Sequence, residues 1–191
     1  MSKIADITTL LNLNFESTTL SSKRFQRGKF QTLAELVVRE GGTVPLILDN
    51  NGEGTEVELN DTYPFQVYHR ILKIAPTTDV ADGYGDGVQT KETTTLKMVV
   101  FANRRVMQFE TDDLITAINV GFLTHLSNAQ TATLGNWFSN IDIEVTDIEI
   151  DKEVVWRDEF GQSSSLPPFY QCFAFTYNVI SDINTECFDL C

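Results

Sequence analysis

The stretch from Thr93 to Asn128 constrains the fold more than any other part of this chain. Leu96, Met98 and Val100 alternate with Val99 and Phe101, so a strand here is apolar on both faces and needs cover on both sides. Ala102, Asn103, Arg104 and Arg105 read as a turn, after which Val106, Met107 and Phe109 resume an extended path. Thr111 stands where an N-cap belongs, and Asp112 and Asp113 sit at the positive end of the helix that follows. Leu114, Ile118, Phe122 and Leu126 form its apolar stripe, joined by Ile115 and Leu123. Gly121 costs such a helix about 1 kcal/mol relative to alanine, which fits a close backbone approach. His125 falls in the last turn, where the dipole favours its cationic form. A strand, a turn and an amphipathic helix in this order predict a sheet with helical cover.

The flanking segments supply the rest of that sheet. Phe30, Leu33, Leu36 and Val37 recur at helical spacing and Gly41-Gly42 follows as a stop, so residues 30–40 are expected to be helical. Residues 44–48 and 55–59 are β-type runs around a Gly/Asn loop and predict a hairpin. That loop places Asp49, Asn51, Glu53 and Gly54 at the first, third, fifth and sixth positions of a calcium loop. The twelfth position, however, is Asn60, which lacks the bidentate carboxylate. Residues 63–74 predict a strand with Phe65, Val67, His69 and Ile71 on one face, which makes His69 a hydrogen-bonded core or interface histidine. Pro76 is expected to end it. Residues 77–95 then read as a long loop around Asp82, Tyr84 and Asp86, suited to ordering against a neighbouring subunit.

Downstream of the helix, Ile141, Ile143 and Val145 occupy odd positions, whereas Ile148 and Ile150 occupy even ones. A β-bulge at Thr146-Asp147 would keep one apolar face on the core, and Val154 and Trp156 would continue the new phase. Asp142, Glu144, Glu149 and Asp151 line the opposite, solvated face; acid–base catalysis would need one of them buried. Residues 161–168 form a surface loop. The closing strand puts Phe169, Phe173, Phe175, Tyr177 and Val179 on one face, making it a main contributor to the core and the internal partner of the strand at 96–101.

Charge is unevenly distributed. Residues 1–30 carry five basic and two acidic groups, a net +3, and the remainder carries nine and twenty-five, a net −16, which together give −13. An acidic body disfavours generic binding to nucleic acid or an anionic membrane. The basic cluster Lys23, Arg24, Arg27 and Lys29 reads as a solvated tail or as an extended arm that orders on a neighbouring copy. The domain organisation expected is therefore an arm over 1–30, one α+β domain over 31–180 and an acidic tail over 181–191. Cys172, Cys187 and Cys191 are too few for a disulfide framework, and Cys187 with Cys191 makes at most half a zinc site. No secretory leader and no membrane-length apolar run is recognisable, so a soluble protein made in a reducing cytoplasm is expected.

The fold class expected is α+β: a mixed, mainly antiparallel sheet packed by one central helix and an N-terminal helix. No phosphate loop, serine elbow, zinc spacing or dinucleotide fingerprint is present, and the two histidines are far apart in sequence. Neither catalysis nor a cofactor is therefore expected. The runs VPLIL, YPFQVYHRILK, TLKMVVFANRRV, TDDLITAINVGFLTHL and PPFYQCFAFTYNV, taken in order, resemble bacteriophage head–tail connection proteins, in particular tail-terminator and neck ring proteins. The resemblance spans most of residues 30–180. It implies a virion protein assembled in the bacterial host cytoplasm, a homo-oligomeric ring that meets adjacent connector or tail proteins, and a lumen through which DNA passes without specific binding. The charged arm and the 77–95 loop depart from the compact members of that family. Candidate assembly contacts are Lys23, Arg24, Arg27, Lys29, Asp49, Asn51, Glu53, Asp82, Tyr84 and Asp86. The alternatives are a calcium- or small-ligand-binding module using the Asp-rich loops and, further off, a hydrolase built on His69 and His125.

Overall fold

In the computed structural model of the chain, the doubly apolar run around Val99 becomes an interior strand covered on both faces. The structure describes residues 3–18, 20, 21, 25, 27–40, 42–48, 54–78, 89–123, 138–161 and 165–184. In chain order the elements are α1 (Lys3–Ser17), β1 (Lys29–Arg39), β2 (Gly42–Leu48), β3 (Gly54–Glu56), β4 (Phe65–Thr78) and β5 (Gln89–Asn103). There follow α2 (Thr111–Leu123), β6 (Phe138–Glu149), α3 (Lys152–Phe160) and β7 (Tyr170–Asn184). Seven strands form one sheet in the order β3-β2-β1-β4-β5-β7-β6. Only β1 and β4 run parallel; every other neighbouring pair is antiparallel. This is the α+β class read from the sequence.

The two faces of the sheet are two separate cores. On the first, Leu96, Met98 and Val100 of β5 join Phe65 and Val67 of β4 and Phe173, Phe175 and Tyr177 of β7, under α1 and α2. Helix α2 contributes Leu114, Ile118 and Phe122, and α1 contributes Ile4, Ile7, Leu11 and Phe15. Phe15 and Phe122 meet edge to face at 5.1 Å, which joins the two helices. On the second face, Val99, Phe101 and Tyr68 pack against Val155 and Trp156 of α3. Each such side chain contributes about 1.5–3 kcal/mol when fully buried. Both faces of β5 therefore favour the folded state, as the opening alternation requires.

Several elements differ from the sequence expectation, each for a local reason. Residues 3–17 are not an extended arm: they form α1, whose buried positions Ile4, Ile7, Leu11 and Phe15 are three or four apart. The segment after it is also held, with Phe25 buried against Phe109 at 4.8 Å. At Gly28 a Cβ would lie only 2.1 Å from the Phe65 ring. Residues 29–39 form a strand, not a helix. The register of β1 on β4 shifts between Phe30 and Leu33, and the extra residue turns a period of two into a spacing of three that imitates a helix. Strand β4 continues through Pro76, which lies opposite Glu92. By then β1 no longer pairs with β4, so among the described residues no ladder bond on that side is lost at the proline. The 77–95 loop shrinks accordingly, because β4 runs to Thr78 and β5 begins at Gln89.

Val106 and Met107 lie in a turn whose N–H groups both donate to the Asn103 carbonyl. Leu123 is 70% exposed and outside the buried stripe of α2. The bulge in β6 falls between Val145 and Asp147, and Ile141, Ile143, Val145 and Ile148 all pack on the first core, as the phase change predicts, whereas Ile150 lies beyond the strand and is exposed. Residues 152–160 leave the sheet and form α3, because Asp151 caps it by accepting from the N–H groups of Glu153 and Val154. Strand β7 extends to Asn184, with Ser181 buried, so the start of the expected tail belongs to the sheet. His125, Leu126, Cys187 and Cys191 lie outside the described residues.

Packing of α1 yields a direct test. Leu11→Ala is expected to lower unfolding free energy by about 2–5 kcal/mol in urea titrations. Leu13→Ala, on the half-exposed side of the same helix, is expected to change it by less than about 0.5 kcal/mol. Equal, negligible effects would mean that residues 3–17 are a solvated arm after all.

Candidate functional site

Among the described residues, the buried side chains able to do chemistry gather chiefly in two groups, one on each face. On the first, the Tyr177 hydroxyl donates to His69 Nδ1 at 2.8 Å, and His69 Nε2 donates to Asn12 Oδ1 at 2.8 Å. The Asn12 amide nitrogen in turn donates to the Gln31 carbonyl at 3.1 Å. The direction of the line follows from its last link: with its nitrogen on a carbonyl, Asn12 presents an acceptor to the histidine, so Nε2 carries the proton. His69 and Tyr177 are fully buried. Burial lowers the imidazole pKa to about 3 and raises that of the Tyr177 hydroxyl. Both ring nitrogens are engaged, so His69 holds helix and sheet together and has no position left for a substrate. Gln31 sits in the irregular part of β1, where the ladder to β4 is interrupted, and Asn12 supplies that carbonyl with a donor.

On the second face the centre is Glu159 of α3, whose side chain is 0% exposed. Its Oε1 accepts from Arg70 at 3.0 Å and lies 3.2 Å from Lys97 Nζ, and its Oε2 accepts from the Tyr68 hydroxyl at 2.8 Å. Lys97 also reaches Asp158 at 3.1 Å. The backbone carbonyl of Glu159 accepts from the Thr43 hydroxyl at 3.0 Å, which draws β2 into the same cluster. Burial, and then the Glu159 charge, raise the Tyr68 hydroxyl pKa; the same two causes raise the Cys172 thiol. The thiol is therefore held protonated and unreactive. Sequence reading missed this cluster, although a signal was there. Lys97 and Arg70 are cations inside strands with apolar neighbours, and a charge on a buried face needs a buried counter-charge. Among the described residues no three His, Cys, Asp or Glu side chains converge as a metal set.

The surface feature that remains uncommitted is the far edge of the sheet. Strand β6 carries Asp142, Glu144, Asp147 and Glu149 and no basic residue, and α2 beside it carries Asp112 and Asp113 and no basic residue. A groove runs between them, lined by residues 142–148 of β6 and by Asn119, Phe122 and Leu123 of α2. Among the described residues β6 pairs only with β7. Of the expected assembly contacts, Arg27 is exposed with a left-handed φ of 82°. Lys29 begins β1 with its amine 5.9 Å from the centre of the Tyr63 ring. Lys23, Arg24, Asp49, Asn51, Glu53, Asp82, Tyr84 and Asp86 lie outside the described residues. No helix among the described residues is long and apolar enough to cross a membrane. Compared with known proteins, the chain matches no family model and no curated relative.

Two measurements follow from the buried groups. His69 has a folded pKa of about 3 against an ordinary 6.5. Unfolding thus takes up a proton between those values, and the stability contributed is intact above pH 6.5 and lost as pH falls toward 3. His69→Gln, which does not titrate, is expected to be less stable than the parent at pH 7.5. The gap should narrow by up to about 1.4 kcal/mol per pH unit in urea titrations run below pH 6. On the other face, Glu159→Ala leaves Arg70 and Lys97 without their buried counter-charge and is expected to cost about 3–5 kcal/mol. Asp158→Ala, at a half-exposed carboxylate, should cost less than about 1 kcal/mol in the same assay.

Proposed function

We propose that this chain is a structural virion protein, not an enzyme, and that it forms an oligomeric ring at the phage head–tail junction or tail end, as neck and tail-terminator proteins do. The observation that carries this reading is where the chemistry-bearing side chains go. His69, Tyr177, Glu159, Lys97 and Arg70 are spent on fastening helices to the sheet. What the described surface offers instead is an acidic strand edge, unpaired among the described residues, with Leu123 exposed beside it. Such features suit contact with other chains better than turnover of a small molecule. The family resemblance drawn from the sequence supports the same reading.

In this reading the copies meet head to tail, the basic groups of residues 1–30 in one copy facing the acidic body of the next, a heterologous contact that closes into a ring. Adjacent connector or tail proteins stack on that ring in the virion, after assembly in the bacterial host cytoplasm. Acidic groups facing the lumen repel the phosphate backbone and let DNA pass without specific binding. Sedimentation equilibrium and electron micrographs of the purified protein test the proposal, with a closed ring of defined copy number as the expected result. A monomer at all concentrations whose melting temperature rises with calcium would replace it with the cation-binding alternative.

A further inference from the structure

We propose that the groove between β6 and α2 is a strand-addition site for an extended, cationic segment of a different protein, with Lys or Arg alternating with apolar residues. The groove is lined by seven consecutive residues of β6, 142–148, so side chains of both faces and the backbone between them border it. A row of consecutive residues from one strand is what the hydrogen-bonding edge of that strand presents. With a helix as its other wall, the groove has the form used when a peptide joins a sheet as one more strand.

The side chains specify what such a strand carries. Ile143 and Val145 point to the first core, beside Phe122 and Leu123 of α2. Asp142 and Glu144, on the alternate positions, are exposed on the other face. Residues directly opposite one another across a strand pair share a face. An added strand therefore places apolar residues next to Leu123 and its alternate residues next to Asp142 and Glu144. Lysine or arginine at those positions gives opposite-charge cross-strand pairs, and aspartate or glutamate gives repulsion.

That rule also decides against a second copy as the occupant. Two β6 edges paired with each other would set carboxylates against carboxylates, which is how edge strands are kept from associating with their own kind. The opposite edge of the sheet, β3, is only three residues long and carries Glu56. Among the described residues, the segment that carries Arg27 and Lys29 is held elsewhere, since Phe25 is buried and Gly28 and Phe30 are pressed on Phe65. The cationic strand is therefore assigned to another protein.

The test uses the full chain and three capped synthetic peptides long enough to span residues 142–148: one alternating Lys and Val, one alternating Asp and Val, and the Lys–Val peptide with a central proline. The Lys–Val peptide is expected to bind with an affinity that falls as salt rises, and to slow amide exchange within residues 142–148. The Asp–Val and proline peptides are expected not to bind. The paired substitution Asp142→Lys with Glu144→Lys, at exposed positions that leave the fold intact by circular dichroism, is expected to weaken binding at least about tenfold. The proposal is overturned by absence of binding, by equal binding to the doubly substituted chain, or by protection elsewhere. It is overturned as well by concentration-dependent protection of residues 142–148 without peptide, which would make a second copy the occupant. None of these outcomes depends on whether the chain closes into a ring, so the two proposals fail separately.

Discussion

The buried line from Tyr177 through His69 and Asn12 to the Gln31 carbonyl is the constraint around which the first face is arranged. An imidazole placed in a hydrocarbon core must find both a donor and an acceptor there, or its burial costs several kcal/mol. Here the donor comes from β7, two strands away across β5, and the acceptor comes from α1. Because each partner has one usable orientation, the line sets three things together: the histidine tautomer, the placement of α1 over the sheet, and the irregular start of β1. An apolar replacement could fill the volume, but it would leave α1 free to slide on a greasy surface.

Glu159 performs the corresponding task on the second face. Its carboxylate gathers Arg70 and Tyr68 from β4 and Lys97 from β5, and its carbonyl holds Thr43 of β2, so one residue at the C-terminal end of α3 grips three strands. Gly161, in the left-handed region just beyond, brings the helix end within van der Waals reach of Gly42. Each face thus has a helix pinned by a fully bonded polar group within an otherwise apolar contact. That arrangement confers a single register on packing that hydrophobic burial alone leaves degenerate.

With both faces closed in this way, interaction with other molecules falls to the perimeter. One end of the sheet is the short β3; the other is the long β6, protected by carboxylates rather than by a covering strand among the described residues. Negative charge along an edge disfavours identical edges and favours a positive one, which is the physical basis of the strand-addition proposal. Sealed cores and a charged edge suit the proposed role, in which the protein works by its position within an assembly.

Legibility in the sequence followed the physics of each element. Strand β5, helix α2, the β2–β3 hairpin, the β6 bulge and the face of β7 with Phe173, Phe175, Tyr177 and Val179 were readable, because each repeats an apolar pattern at its own period; Phe169, expected on that face, precedes β7 and packs on the second core. His69 was readable as a core histidine for the same reason. The sequence determined, by itself, that there would be a sheet with two covered faces and a mixed α+β architecture. It misread α1, β1 and α3. A polar helix with one narrow stripe resembles an arm, a bulge makes a strand count like a helix, and Val154 with Trp156 counts like a strand until Asp151 caps the turn. Only the tertiary structure decided which polar residues would meet, since Asn12 and Tyr177, or Glu159 and Lys97, are distant in sequence. Their attraction becomes effective only once the sheet has excluded water between them.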